Sequence, residues 1–434
     1  MTNSKLKFIH CADLHLDSPF SGVSEASPGL ARVLREAAFN AFRNSVDLAL
    51  QVGADFFLVS GDVYDSEDRS IRAQLFFVEQ LKRLADAGIP SFVVHGNHDP
   101  LSGWELDREL PPLIHRFGRE VESAPLVIRG ERAGTVHGCS FPVRDVEENL
   151  ALRFHGRRTD GVNIALLHCN VGGRKGHENY APCSLDDLRA SGMDYWALGH
   201  VHGAEVLCRS PLIVYPGNIQ GRHIGETGEK GVFLATLDSG GSGPASGDVE
   251  FIPCDAVRWI RESLSIEGME RDEELLTAFE NLVERARRES DGRPAIVRAR
   301  VIGRGRLSAL MRRPGFLSGP GGLVETLNQG EEGRGDFVHI EGVTDETSPP
   351  FDLEVLSAGS HFVGDFLQEA RSFEEGGALR GRLMDLLADL GVRDKLHREV
   401  FDRVDGLSDD EISSLLRRGT ILALEGLLEG EDDE

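Results

Sequence analysis

The chain has 434 residues, 40% of them hydrophobic and 27% charged, with a formal net charge of −25. That is an ordinary soluble globular composition, long enough for about two or three domains, and no apolar run approaches the ~20 residues that cross a bilayer. The six cysteines form no Cys-x-x-Cys pair, and the opening Met1-Thr2-Asn3-Ser4-Lys5 runs into a strand without a signal or transit pattern, so a reduced, cytoplasmic protein is expected.

Leu6–Cys11 is an apolar run that reads as a strand, and Asp13 and His15 follow it. Val33, Leu34, Ala37, Ala38, Ala41, Phe42, Val46, Ala49 and Leu50 then fall at helical spacing. A strand over Asp55–Ser60 leads into Gly61-Asp62, and a second helix carries Ile71, Leu75, Val78, Leu81 and Leu84 until Gly88-Ile89-Pro90 stops it. The strand Ser91–Val94 leads into Gly96-Asn97-His98-Asp99. This βαβαβ rhythm predicts a parallel sheet covered by helices, with ligands beyond the carboxyl ends of the strands.

From about Pro125 short strands dominate, including Leu212–Tyr215 and Gly231–Leu237, which predicts a second and more mixed sheet. Two of these strands end in histidine: Ile164–Leu167 before His168, and Tyr195–Leu198 before Gly199-His200-Val201-His202. Residues 239–244 read as a hairpin loop before a strand at Val249–Ile252. Beyond Cys254 come a strand near Val257–Ile266, a helix opened by Asp272, Glu273 and Glu274 and closed by arginines, and a strand Ala295–Ile302. After Pro349-Pro350 the pattern is helical, ending with the capping sequence Ser408-Asp409-Asp410-Glu411 before Ile412, Leu415 and Leu416. The expected domains are residues 1–254, 255–345 and 346–434.

Side chains two apart on an extended backbone point the same way, so Asp13/His15 and His200/His202 are each expected to aim two groups into one space. Imidazole, carboxylate and amide oxygen without thiolate suit two borderline-to-hard divalent cations. Two neighbouring cations neutralise phosphate oxygens and acidify a water, the two needs of phosphodiester hydrolysis. Asp62 is the natural bridging carboxylate, and a nearby histidine can protonate the leaving oxygen.

Asp-x-His, Gly-Asp, Gly-Asn-His-Asp, a lone His and Gly-His-x-His, in this order, resemble the calcineurin-like metallophosphoesterases. Within them the chain resembles the SbcD type of DNA repair nuclease and its YhaO-like branch. His15-Leu16-Asp17-Ser18-Pro19-Phe20, Tyr180-Ala181-Pro182-Cys183, Tyr215-Pro216-Gly217-Asn218 and Gln220-Gly221-Arg222-His223 carry that likeness over roughly the first 250 residues. It implies an α/β sandwich of two central sheets flanked by helices, with a small α/β capping domain and a helical C-terminal region. It implies one metal held by Asp13, His15, Asp62 and His202, and a second by Asp62, Asn97, His168 and His200, with Mn²⁺ the expected ion. It implies His98 as the acid, oriented by Asp65 through its other ring nitrogen. DNA as substrate, an SMC-like ATPase of the SbcC type as partner and a homodimer are further expectations, with the C-terminal helices as the ATPase contact.

Blander readings stand beside these. His10 and His95 read as hydrogen-bonded core residues and Cys169 as packing. Asp99 is open between capping the next turn and catalysis. Arginines dominate residues 284–313, and Arg298 and Arg300 share one face of an alternating strand, as a phosphate-tracking surface needs; a solvated face is the other reading. Arg222 and His223 are open between touching the substrate backbone and fixing their loop. A phosphoesterase acting on nucleotides or phosphoproteins, and a non-catalytic scaffold, are the competing functions.

Overall fold

The apolar runs become strands of two six-stranded sheets in the computed structural model. It describes residues 5–18, 28–65, 70–104, 106, 110–174, 178–238, 245–317, 319–359, 362–375, 381, 385 and 407–429. Pro19 and Phe20 of the sequence motif lie outside them, as does the loop 239–244.

The first sheet holds β1 (Lys5–Cys11), β2 (Phe56–Ser60), β3 (Ser91–Val94) and β4 (Ile114–Arg116). The second holds β5 (Glu122–Ile128), β6 (Glu131–Cys139), β7 (Val162–His168), β8 (Tyr195–Gly199), β9 (Glu205–Arg209) and β10 (Leu212–Tyr215). The chain then returns to the first sheet with β11 (Gly231–Asp238) and β12 (Gly247–Pro253). The orders are β12-β11-β1-β2-β3-β4 and β5-β6-β7-β8-β10-β9. The second sheet is mixed as expected, but Gly231–Leu237 belongs to the first, antiparallel to β1 from Lys5↔Asp238 to His10↔Phe233. Its antiparallel hairpin with β12 covers the edge that β1 would otherwise leave open.

Alternation along each strand builds three layers of core. Leu6, Phe8, Phe56, Leu58, Phe92 and Val94 meet Leu126, Val136, Ile164, Leu166, Tyr195 and Val214 between the sheets. Phe8 stacks on Phe56 at 4.4 Å and meets Tyr195 edge-on at 5.0 Å. The opposite face of the first sheet, Ile9, Phe57, Val59 and Val93, packs under α1 (Pro28–Val52) and α2 (Ile71–Asp86) through Phe39, Phe42, Val46, Phe77 and Leu81. Each such ring or branched chain contributes about 1.5–3 kcal/mol on burial. Strands buried on both faces explain why the parallel ones read as unbroken apolar runs. Ser70 caps α2 by accepting from Ala73 N (3.0 Å), and α3 (Leu185–Ala190) carries a full capping box from Ser184 and Asp187.

A third sheet has the order β13-β14-β15, formed by Arg258–Ser265, Ala295–Arg304 and Val338–Ser348. Helix α4 (Asp272–Glu289) links its first two strands, with acids in its first turn and Arg287 and Arg288 in its last. The chain divides into two compact units. One is Met1–Arg261 with Ala286–Arg298 and Glu331–Glu341; the other is Glu262–Arg285, Ala299–Gly330 and Gly342–Glu434. In the second unit the helices Phe362–Glu375 and Asp409–Glu429 share a small core of Val363, Leu367 and Leu424. Ser408 and Glu411 form the expected capping box, with Ser408 N donating to the Glu411 carboxylate (2.6 Å) and Glu411 N to Ser408 Oγ (3.3 Å). Ile412 and Leu424 are buried in the chain's own fold, whereas Leu415 stays 46% exposed.

His10 is a core residue, its ring held between Tyr195 Oη (3.0 Å) and Ser60 Oγ (3.1 Å). Burial lowers its pKa from 6.5 to about 3, against a smaller upward pull from the Leu198 backbone. The folded chain therefore keeps His10 neutral where the unfolded chain takes up a proton. Its contribution to stability is present above pH 6.5 and is lost as pH falls from there toward 3. The slope reaches ~1.4 kcal/mol per pH unit. In urea titrations from pH 7 to pH 4, His10→Gln is expected to lose less stability than the parent chain; parallel losses would refute this.

Candidate metal centre

Strands β1, β2, β3, β7 and β8 all deliver their carboxyl ends to one place. The backbone after β1 runs beside the turn after β2, with Asp13 N donating to Gly61 O (3.1 Å), His15 N to Asp62 O (3.0 Å) and Leu16 N to Val63 O (2.9 Å). It is not extended, as the two-residue spacing had implied. Asp13, His15 and Asp62 have φ of 51°, 44° and 49°, and His200 has 102°. Non-glycine residues at positive φ are strained, and four of them cluster in the turns that present these acids and imidazoles.

Four histidines converge in one arrangement, each with one ring nitrogen against an oxygen and the other turned inward; three of the outer contacts are hydrogen bonds, and that of His15 is an ion-pair contact. His168 Nδ1 meets Ser60 O (3.0 Å), His200 Nε2 meets Glu178 O (2.7 Å), and His202 Nδ1 meets Glu226 Oε1 (2.6 Å). His15 Nδ1 lies 2.9 Å from Asp65 Oδ1. The inward nitrogens of His15 and His202 are 3.2 Å apart, with Asp13 Oδ1 4.0 Å from His202 Nε2. On the other side, Asn97 Oδ1 lies 3.0 Å from His168 Nε2 and 3.2 Å from His200 Nδ1. Asp62 Oδ2 stands between the two groups, 3.9 Å from His15 Nε2 and 3.3 Å from His168 Nε2. All seven residues expected to hold metal are thus brought together.

Donor chemistry and spacing fit divalent cations. Donors held ~2.1 Å from a cation at right angles are ~3 Å apart, close to the separations here. Asp13 and Asp62 are each 1% exposed, and a buried carboxylate is costly without a positive partner. Burial raises the pKa of Asp13. Burial also opposes ionisation of Asp62, yet the His168 charge and hydrogen bond hold it well below its ordinary value. His168 is disfavoured as a cation by burial, but Asp62 carries it up to about 9. A divalent cation would supply positive charge beside these carboxylates without a proton.

His98 sits at the mouth, its side chain 33% exposed. Its backbone N–H donates to Asp62 Oδ1 (2.9 Å). Its Nδ1 is nearer the Asp65 carbonyl oxygen (3.2 Å) than the Asp65 carboxylate (3.5 Å). That carboxylate turns instead to His15, Ser18 Oγ (2.9 Å) and Arg222 Nη1 (2.9 Å). Asp99 accepts from Val63 N (2.9 Å), Gly96 N (2.7 Å) and His95 Nδ1 (2.8 Å), which braces the turn carrying Asn97 and His98. Cys169 is buried with Cys183 at 3.8 Å, and that contact and burial hold its thiol protonated.

Glu226 has no counterpart among the residues that the sequence motifs single out. It is buried, accepts from His202, Asn218 Nδ2 (3.0 Å) and Arg222 N (2.8 Å), and lies well below its ordinary pKa: burial opposes this, but the His202 hydrogen bond and charge prevail. His223 is exposed, its Nε2 3.8 Å from Glu226 Oε1. Arg298 and Arg300 share the outer face of β14. They pair with Glu341 (2.8 Å) and Glu346 (3.5 Å), and their side chains are 45% and 53% exposed.

Sequence comparison agrees with this geometry. The profile described as calcineurin-like phosphoesterase matches residues 6–204, and the middle domain of metallophosphoesterase YhaO matches residues 259–348. The chain belongs to the calcineurin-like metallophosphoesterase family. It is 34% identical to the metallophosphoesterase YhaO of Bacillus subtilis (strain 168) over 422 residues, 96% of this chain and 97% of the relative. It is also 28% identical to the DNA double-strand break repair protein Mre11 of Aeropyrum pernix over 228 residues, covering 49% of this chain and 53% of that one. The SbcD component of the nuclease SbcCD from Bacillus subtilis (strain 168) matches at 26% over 257 residues, 49% of this chain and 61% of its own.

Gly199 is the tightest point of the centre: a Cβ there would lie 1.8 Å from Ser60 O and 2.7 Å from His168 Nδ1. Gly199→Ala must push apart the β2 and β8 ends and displace the acceptor of His168. We expect a loss of about 1–3 kcal/mol in urea unfolding and weaker metal binding by calorimetry. Gly342→Ala, where the added carbon meets nothing within 4 Å, is expected to stay within ~0.5 kcal/mol of the parent.

Proposed function

We propose that this protein is a Mn²⁺-dependent DNA nuclease that hydrolyses phosphodiester bonds in double-strand-break repair, working with an SMC-like ATPase of the SbcC type. The observation that carries the reading is the set of four imidazoles, each with one nitrogen against an outer oxygen and one turned inward, His15 and His168 toward Asp62, His200 toward Asn97 and His202 toward Asp13, beside a partly exposed fifth, His98. Such orienting contacts fix the tautomer of a metal-binding histidine. When bound, two divalent cations supply charge neutralisation and an acidified water. Asp13, His15, Asp62 and His202 would hold one, and Asp62, Asn97, His168 and His200 the other.

His98 then serves as general acid. Its Nδ1–H donates to the Asp65 carbonyl oxygen (3.2 Å), so in the protonated ring Nε2 carries the proton for the departing oxygen. His223 and the half-exposed Arg298 and Arg300 are the proposed substrate contacts, and residues 255–345 the DNA-guiding domain. The relatives named for DNA repair and for SbcCD support the substrate class and the partner, and residues 346–434 are the proposed ATPase contact.

Linear duplex DNA, circular single-stranded DNA and a chromogenic phosphodiester, assayed side by side after metal stripping, test the substrate. Mn²⁺ is expected to restore DNA cleavage; cleavage in excess chelator, or activity on the small ester alone, would overturn the proposal. His98→Ala is expected to lose ~10²–10⁴-fold in rate while still binding two metals by calorimetry. Asp62→Ala is expected to disturb both. Loss of a metal from the His98 variant would refute the assigned role.

A further inference from the structure

The two carboxylates that anchor His15 and His202 share a third neighbour. Arg222 Nη1 donates to Asp65 Oδ1 (2.9 Å) and to Ser18 Oγ (3.1 Å). Its Nη2 lies 3.7 Å from Glu226 Oε1, and its backbone N–H donates to Glu226 Oε2 (2.8 Å). Asp65 in turn meets His15 Nδ1 at 2.9 Å, and Glu226 meets His202 Nδ1 at 2.6 Å. His15, Asp65, Arg222, Glu226 and His202 thus form one chain, and its two free ends are the Nε2 atoms 3.2 Å apart in the centre.

We propose that Arg222 is a positioning residue: it sets the spacing of His15 and His202 by holding both of their carboxylate anchors. Without a cation between them, Asp65 and Glu226 keep only neutral partners, Ser18 Oγ (2.9 Å) for the one and Asn218 Nδ2 (3.0 Å) and the Arg222 backbone N–H (2.8 Å) for the other, and their repulsion spreads the two anchors and shifts the imidazoles with them. A guanidinium reaches two acceptors at fixed angles, which an ammonium does not. Since the Asp65 carbonyl also faces His98 Nδ1 (3.2 Å), the same clamp steadies the turn that orients the acid.

Two other roles fit less well. A phosphate-binding arginine turns its donors outward, whereas this side chain is only 15% exposed and both its arms end at carboxylates. The grouping of His15, Asp65 and His98 also has ligand atoms within 4.8 Å of one another, as a third cation site would. The guanidinium 2.9 Å from Asp65 Oδ1 already supplies the positive charge there.

The inference rests on the two-metal reading above, and one experiment separates them. Mn²⁺ is titrated calorimetrically into metal-free full-length protein, its Arg222→Ala variant and its Arg222→Lys variant, with electron paramagnetic resonance reporting coupling between the two ions. The parent binds two equivalents. Arg222→Ala is expected to weaken one of them ~10–100-fold, as loss of an orienting contact does, to leave the other unchanged and to lose the coupled signal. Arg222→Lys recovers part of that affinity. Turnover on DNA falls with the coupled signal while KM changes little. Should the alanine chain fail to melt cooperatively, Arg222→Gln is read in its place with the same expectation. Unchanged affinity at both positions with a raised KM and a shallower salt dependence would make Arg222 a phosphate contact and overturn the inference. Fewer than two equivalents in the parent would instead overturn the two-metal reading itself.

Discussion

Burial of Asp13 and Asp62 between two sheets is the constraint on which the rest depends. A carboxylate at 1% exposure is unstable without positive charge, and the alternatives are protonation or a cation. The imidazoles alone do not settle the matter: burial favours the neutral ring at His15, while Asp62 outweighs burial at His168 and favours the charged one. What makes the site specific for a cation is that the inward nitrogens cannot turn away. Three of the opposite nitrogens are hydrogen-bonded, to Ser60 O, Glu178 O and Glu226, and the fourth lies 2.9 Å from Asp65 Oδ1. The fold therefore holds these side chains in place at a cost in backbone strain and desolvation that metal binding would offset.

That arrangement also explains the packing around it. Ser60 does two things at once: its carbonyl holds His168, and its hydroxyl donates to Ala197 O (3.0 Å) and faces His10 Nε2 (3.1 Å). The β2 strand of one sheet is thereby pinned to β8 of the other where the ligands emerge. Glycine at 199 permits that approach, and Gly96 does the same on the opposite side, where a Cβ would lie 2.2 Å from Asp62 Oδ1. Site geometry and sheet packing are one structure.

Much of this was legible in the sequence because the donors are local to strand ends. Apolar runs of four to seven residues, each followed by an acid, amide or imidazole, mark both the sheet and its functional edge. The extended geometry assumed for Asp13 and His15 was not correct, because hydrogen bonds to Gly61 and Asp62 hold them in a left-handed turn. Glu226 was missed because it follows no strand and sits in a loop; only its long-range partner, 24 residues back in sequence, gives it a role. The return of Gly231–Asp238 to the first sheet was equally hidden, since a strand's composition says it is buried but not beside which neighbour.

The arginine-rich stretch shows the same limit in electrostatic form. Read along the chain it is strongly basic, yet its charges meet acids far away in sequence: Arg287 with Glu331, Arg298 with Glu341, Arg300 with Glu346 and Arg285 with Glu262. Where the acid is buried, as Glu341 is at 1% side-chain exposure, the pair belongs to the fold and an incoming anion would have to compete with it. Half-exposed pairs such as Arg300 with Glu346 contribute little to stability and exchange partners at small cost. In a chain of net charge −25, long-range attraction alone does not draw a polyanion to the centre. Divalent cations held at Asp13 and Asp62, as proposed, would change that locally, because they would reverse the sign of the site. Metal loading would then govern substrate approach as well as bond cleavage, which places the origin of both in the same two buried carboxylates.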